Sequence, residues 1–200
     1  FAHPRNRLAP TSRSLVDESY ARLTTRPSDG SPKKALELGS PMPPVPTNLM
    51  AGLIEALAAD PYHGKADMPE LARSLQLEVD ELFPVAEMLQ HLGFAEVHSG
   101  DIVLTAPGRI FAEHGTQERK MQFAEHLLQS VPLAARIRQV LNERPGHHAP
   151  RVRFEQELED FLTDESAEET LDAVINWGRY AEIFSYNDQT EFFSLEDVEG

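Results

Sequence analysis

The sequence predicts a mainly α chain with small β-hairpins, an α+β fold organised as two tandem winged helix-turn-helix units. Three observations predict it. Between Asp67 and Leu92, apolar residues recur at three- and four-residue steps in two runs (Leu71, Ala72, Leu75, Leu77, then Leu82, Val85, Ala86, Leu89, Leu92), the mark of helices with one buried face. After Gly93 the period changes, and Phe94 to Val97 with Ile102 to Leu104 reads as two short strands around the turn Ser99-Gly100-Asp101. Helix, helix and hairpin, with one more helix ahead, is the winged-helix order. The plan then returns: Leu133, Ile137 and Leu141 match Leu49, Leu53 and Leu57 at a constant offset of 84.

Two hundred residues with 40% apolar content are enough for one or two packed cores. The chain has no cysteine, so nothing in it depends on an oxidising compartment, and a cytoplasmic setting is the simplest expectation. No apolar run approaches the ~20 residues that cross a bilayer. The net charge of −15 is unevenly spread: residues 1–47 hold seven Lys and Arg against four acids, and residues 48–200 hold eleven against twenty-nine. That change of sign marks a boundary.

In chain order, Phe1 to Thr25 contains one short periodic segment (Leu15, Val16, Ser19, Tyr20, Leu23), too little to form a core alone. Pro27 to Pro46 holds six of the fifteen prolines among Gly and Ser, so residues 27–47 read as an exposed, partly extended linker. Residues 48–115 form the first unit. Leu49, Leu53, Ile54 and Leu57 share a helical face, Asp67 caps the next helix with Glu70 three residues on, and Asp80 caps the third, which puts Pro84 near the end of its first turn. Thr105 caps a helix over Ala106 to His114 with Pro107 in its first turn.

Residues 116–131 make a connecting helix whose stripe is Met121, Ala124, Leu127, Leu128 and Val131. Residues 132–196 form the second unit. Its second helix turns Phe154, Leu158 and Phe161 inward, and its third turns Leu171, Val174 and Ile175 inward. Tyr180-Ala181-Glu182-Ile183 echoes Phe94-Ala95-Glu96-Val97, and a hairpin follows around Asn187-Asp188.

The fold suggests DNA, but the charges oppose it. A groove-reading helix sits against phosphates and binds largely through its cations. The third helix of unit one carries Glu78, Asp80, Glu81 and Glu87, and that of unit two Glu165, Glu168, Glu169 and Asp172, with no Lys or Arg in either before Arg179. Duplex binding by these helices is disfavoured. No GxxxxGK[ST] occurs, and the one Gly-Lys pair, Gly64-Lys65, lacks the upstream glycine, so this chain by itself does not hold ATP. There is no cysteine nucleophile and no serine elbow. His147-His148, His63, His114 and His126 lack the spacing of paired metal ligands on one helix face. No catalytic, cofactor or metal residue is assigned.

Trp177 reads first as a core anchor between helix and hairpin. A strand pair buries only one face, so part of the set Tyr186, Phe192 and Phe193 should face outward. With Arg179, these residues are the candidate partner contacts, either for another protein or for a second copy of the chain.

Five motifs in order resemble the C-terminal AAA-associated domain: Met42-Pro43-Pro44-Val45-Pro46, Leu92 to Val97, Leu104 to Arg109, Gln117 to Lys120 and Asn176 to Glu182. That domain is appended to ATP-binding subunits of ABC importers of the nitrate, sulfonate and taurine class. His3-Pro4-Arg5-Asn6-Arg7 with Leu15, Val16, Asp17 and Tyr20 looks like the last strand-exit and helix of such an ATPase domain, making residues 1–26 its remnant. The resemblance implies a cytoplasmic parent at the inner membrane, peripheral to a permease and dimeric, that alone holds ATP and Mg. It further implies that this module contacts its own ATPase domain and the dimer partner, as a regulatory or assembly domain. A nucleic-acid-binding regulator and a small-molecule sensor are the alternatives.

Overall fold

Met50, Leu53, Ile54 and Leu57 share one side of the helix Thr47–Ala58 (α1), and that side is buried in the computed structural model, which describes residues 35–195. Next come β1 (Lys65–Asp67), α2 (Met68–Ser74), α3 (Val79–His91), β2 (Ala95–His98) and β3 (Asp101–Leu104). Two helices, α4 (Ala106–Glu113) and α5 (Thr116–Ser130), lead to α6 (Pro132–Glu143), β4 (His148–Pro150), α7 (Arg151–Glu159), α8 (Asp164–Tyr180), β5 (Ser185–Asn187) and β6 (Phe192–Ser194). The chain is mostly helical with two small antiparallel sheets, ordered β1-β3-β2 and β4-β6-β5.

The expected caps form where a short oxygen-bearing side chain precedes the helix. Asp67 Oδ1 accepts the Glu70 N–H at 3.1 Å, and Thr105 Oγ1 accepts that of Gly108 at 3.2 Å while donating to the Gly93 carbonyl at 2.6 Å. Ser99 and Gly100 both have positive φ, 52° and 92°, as a two-residue hairpin turn between right-twisted strands requires.

Several expectations are corrected. The third helix starts two residues early, with Glu78 as its cap and the Glu81 carboxylate accepting the Glu78 N–H at 2.9 Å, so Pro84 lies beyond the first turn. Each sheet has a third strand, β1 or β4, three residues long. Tyr180 belongs to α8, and Ala181-Glu182-Ile183 is its termination, not a strand.

The hydrogen bonds give the true register. Ala181, Glu182 and Ile183 N–H groups donate to the Trp177, Arg179 and Gly178 carbonyls, as those of Leu92, Gly93 and Phe94 donate to Met88, Gln90 and Leu89. The units therefore correspond here at an offset of 89, three residues from the register of the echoing letters.

In α5, Met121 is 66% exposed and Phe123 is buried. Two residues on a helix face opposite sides, and the ring wins because it has partners: Phe123 stacks on Phe94 at 6.3 Å and meets Tyr180 edge-on at 5.1 Å. Phe161, expected inward, is 64% exposed beyond the end of α7, its ring against Gly39.

The end of the proline-rich stretch is docked, in contrast to the exposed linker expected. Met42 and Val45 are buried. The Met42 N–H donates to Thr170 Oγ1 at 3.1 Å, and Trp177 Nε1–H donates to the Val45 carbonyl at 2.7 Å. One core runs through both halves, and α8 lies at its centre, packed on α1, α5, α6, α7 and β5. The reading of residues 1–26 falls outside the described residues, as do residues 27–34 of the linker.

Candidate interaction surface

Arg119 stitches the connecting helices to the first half. Its Nε and one terminal nitrogen donate to the carbonyls of Phe111 (3.0 Å) and Ala112 (2.9 Å), satisfying the last turn of α4, while the other terminal nitrogen reaches Glu55 on α1. The neighbouring Lys120 pairs with Glu182 at the end of α8. Desolvation pushes the Tyr180 hydroxyl up from its ordinary pKa, against the opposing pull of Arg119 and Lys120. Beside Arg119 lies an open cleft of about 430 Å³ lined by Glu55, Ala58, Arg109 and Glu113.

A second cleft, about 400 Å³, runs between α4 and α5. Pro107, Ile110 and His114 form one wall, with Met121, Gln122 and Glu125 on the other. Ile110 is 47% exposed, so two large apolar side chains face solvent in one groove.

The second half is fastened by Arg151, which reaches Glu155 on its own helix and Asp172 on α8 at 2.6 Å. Burial disfavours its charge, but Glu155, Asp172 and Tyr186 outweigh that and raise its pKa. Arg136 is held charged chiefly by hydrogen bonds to Glu157 (3.0 and 3.1 Å).

Lys65, Arg119, Lys120, Arg136, Arg151, Arg153 and Arg179 all pair with carboxylates of the chain itself. The exposed stripe of α8 begins with Glu165, Glu168, Glu169 and Asp172, and that of α3 with Asp80 and Glu81. Among the described residues no group of three or more His, Asp or Glu is placed to hold a metal ion, and no helix is long and apolar enough to cross a membrane.

The five candidate contact residues separate into two sets. Trp177 and Phe193 are fully buried and Tyr186 nearly so, which makes them core in this fold. Phe192 is 43% exposed at the start of the central strand β6, and Arg179 sits over the Tyr186 ring at 5.4 Å with a salt bridge to Asp188 at 2.6 Å. Those two remain at the surface. The α4/α5 groove was missed because Met121 was counted as core. The signal was present: Met121 and Phe123 could not both point inward.

Residues 69–187 match the sequence pattern described as the C-terminal AAA-associated domain. The chain belongs to that family. Comparison with curated proteins and with solved structures gives no match. The matched residues thus span all of α3 to β5, including the α4/α5 groove and the helix α8 that binds the Met42–Val45 segment, while Glu55 and Ala58 of the first cleft lie ahead of them.

Proposed function

We propose that this AAA-associated domain is the non-catalytic accessory module of the ATP-binding subunit of an ABC importer of the nitrate, sulfonate and taurine class. In this reading its halves are winged-helix units turned from DNA to protein contact, and its partners are its own ATPase domain and the dimer partner. The permease is reached through the parent, at the cytoplasmic face of the inner membrane. The observation that carries the reading is the family match over residues 69–187.

Three further features support it. Each half repeats the order helix, strand, helix, helix, strand, strand with the same sheet order. The helices that would enter a DNA groove expose carboxylates, and most of the cations among the described residues are already paired with carboxylates. Phosphate contact is costly under those conditions. A protein partner instead meets a rigid acidic body with local apolar patches. Its docking biases the open and closed populations of the ATPase dimer, and the tether keeps its local concentration high.

Deleting this module from the full-length subunit tests the proposal. Altered ATPase rate, transport or assembly is expected, and unchanged values for all three would remove it. A mobility shift at low salt should show no duplex binding.

A further inference from the structure

We propose that the groove between α4 and α5 is the docking site for a basic amphipathic helix of a partner protein. Ile110 on α4 and Met121 on α5 are 47% and 66% exposed and line the same cleft. Pro107, Ile110 and His114 follow one another at three and four residues along α4, the kind of row into which an approaching helix sets its own side chains. Burial of Phe123 turns position 121 outward, but a polar residue would serve the fold there as well as methionine does.

Charge complementarity selects a cationic partner. Helices α4 and α5 carry three Lys and Arg between them, and the fold turns all three away from this groove. Arg109 donates to the His63 carbonyl at 3.2 Å, Arg119 reaches the end of α4 and Glu55, and Lys120 pairs with Glu182. What lines the groove instead is Glu118 and Glu125, both exposed and neither paired with a Lys or Arg of the described residues. Glu118 lies in the first turn of α5, where the helix dipole by itself favours an acid. Glu125 lies past mid-helix, where the dipole gives no such preference, and accepts one hydrogen bond, from Gln129 at 3.2 Å.

Spacing sharpens the chemistry of the partner. The two carboxylates stand seven residues apart on α5, about 10.5 Å along the axis, with Met121 between them. A helix that lays an apolar side chain against Ile110 and Met121 reaches both acids with Lys or Arg placed about one turn to either side of that anchor. A second copy of the chain is the poorer occupant, because groove against groove would bring the same carboxylates together. None of this depends on the importer parentage.

The probe is a fluorescein-labelled synthetic peptide of about 18 residues, long enough to hold a helix on binding, with leucine at steps of three and four and lysine at intervals of seven. Added to the full 200-residue chain, it should show saturable binding by fluorescence anisotropy that weakens as salt is raised. Glu118→Gln with Glu125→Gln should weaken binding about tenfold, and the charge-matched control Glu168→Gln with Glu169→Gln on the exposed face of α8 should change it less than about twofold. Equal losses in the two pairs would mean attraction to a generally acidic chain and overturn the proposal. So would an absence of saturable binding, or equal binding of a peptide with glutamate in place of each lysine.

As a second readout, Ile110→Ser with Met121→Ser should leave the melting transition in place, since both side chains are exposed, and weaken the peptide about tenfold. Unchanged affinity overturns the proposal. A concentration-dependent dimer of the chain alone that these two substitutions abolish would assign the groove to a second copy and overturn it as well.

Discussion

The two halves share a backbone plan and fill it in opposite ways. At the end of the third helix in the first half, Leu89 is buried, and so is Ala95 at the start of the following strand. At the corresponding places in the second half, 89 residues on, stand Gly178 and Phe184. The large residue has moved from helix to strand and the small one from strand to helix. A Cβ built on Gly178 would lie 2.1 Å from Phe184 Cζ, so glycine is there to admit the ring.

The central strand repeats the lesson. Ile102 is paired with Ala66 and Val97, and its counterpart Phe193 with Ala149 and Tyr186. Phe193 then meets Phe154, Phe184 and Tyr186 at 4.8 to 5.3 Å between ring centres. What the duplicated plan keeps is the hydrogen-bond skeleton. The size and identity of the residues that fill each layer are free to change when their neighbours change with them.

The largest effect should come from exchanging the two solutions. Phe184→Ala opens a cavity and should cost about 3–5 kcal/mol, while Gly178→Leu drives a side chain into the ring and should cost at least as much. The double variant recreates the arrangement of the first half and should recover at least about 2 kcal/mol of the summed loss in denaturant melts. Strict additivity would show that the correspondence is only one of backbone.

Next in size is Trp177→Phe. It leaves the buried Val45 carbonyl without its donor and should cost about 1–3 kcal/mol. Its counterpart Met88, which has no such duty, should tolerate Leu at under about 1.5 kcal/mol.

A smaller effect of opposite sign separates the two helix ends. Gly93 has φ 79°, and Glu182 takes its place with φ 56°. Gly93→Ala should destabilise by about 1 kcal/mol and Glu182→Gly should stabilise by about 0.5 kcal/mol, even with loss of the surface pair to Lys120. Equal signs would deny the equivalence.

The smallest is a titration. The hydrogen bond from Arg179 holds the Asp188 carboxyl below its ordinary 3.8. A folded pKa below the unfolded one contributes stability above the unfolded value, and that contribution disappears as pH falls through the folded one. NMR titration should find the Asp188 pKa rising toward its ordinary value in Arg179→Gln.

Much of the architecture was legible because it depends on neighbours in sequence. The helical periods, the Asp67 and Thr105 caps, the Ser99-Gly100 turn and the repeat of first helices are all settled within a few residues. What escaped depends on distant partners. Strands β1 and β4 are three residues long and exist only through β3 and β6. Val45 lies in a stretch whose composition says linker, and nothing nearby reveals that Trp177 waits 132 residues away to bind its carbonyl. The letters of Tyr180 to Ile183 favoured one alignment, and the backbone bonds settled another. Of the contact residues, Phe192 and Arg179 lie at the surface, and strand alternation alone did not say which of the rings would. The groove of Ile110 and Met121 was not foreseen, because burial of Phe123 is decided by Phe94 and Tyr180.

The seam at Met42 and Val45 gives the molecule a direction. Although α1 follows this segment in the chain, its anchors are Thr170 and Trp177 in the far half, so a pull arriving from upstream is borne first by α8 and reaches α1 only after those two bonds have sheared. Tension on Met42 is thus carried by the C-terminal half before it is felt by the helix that follows in sequence.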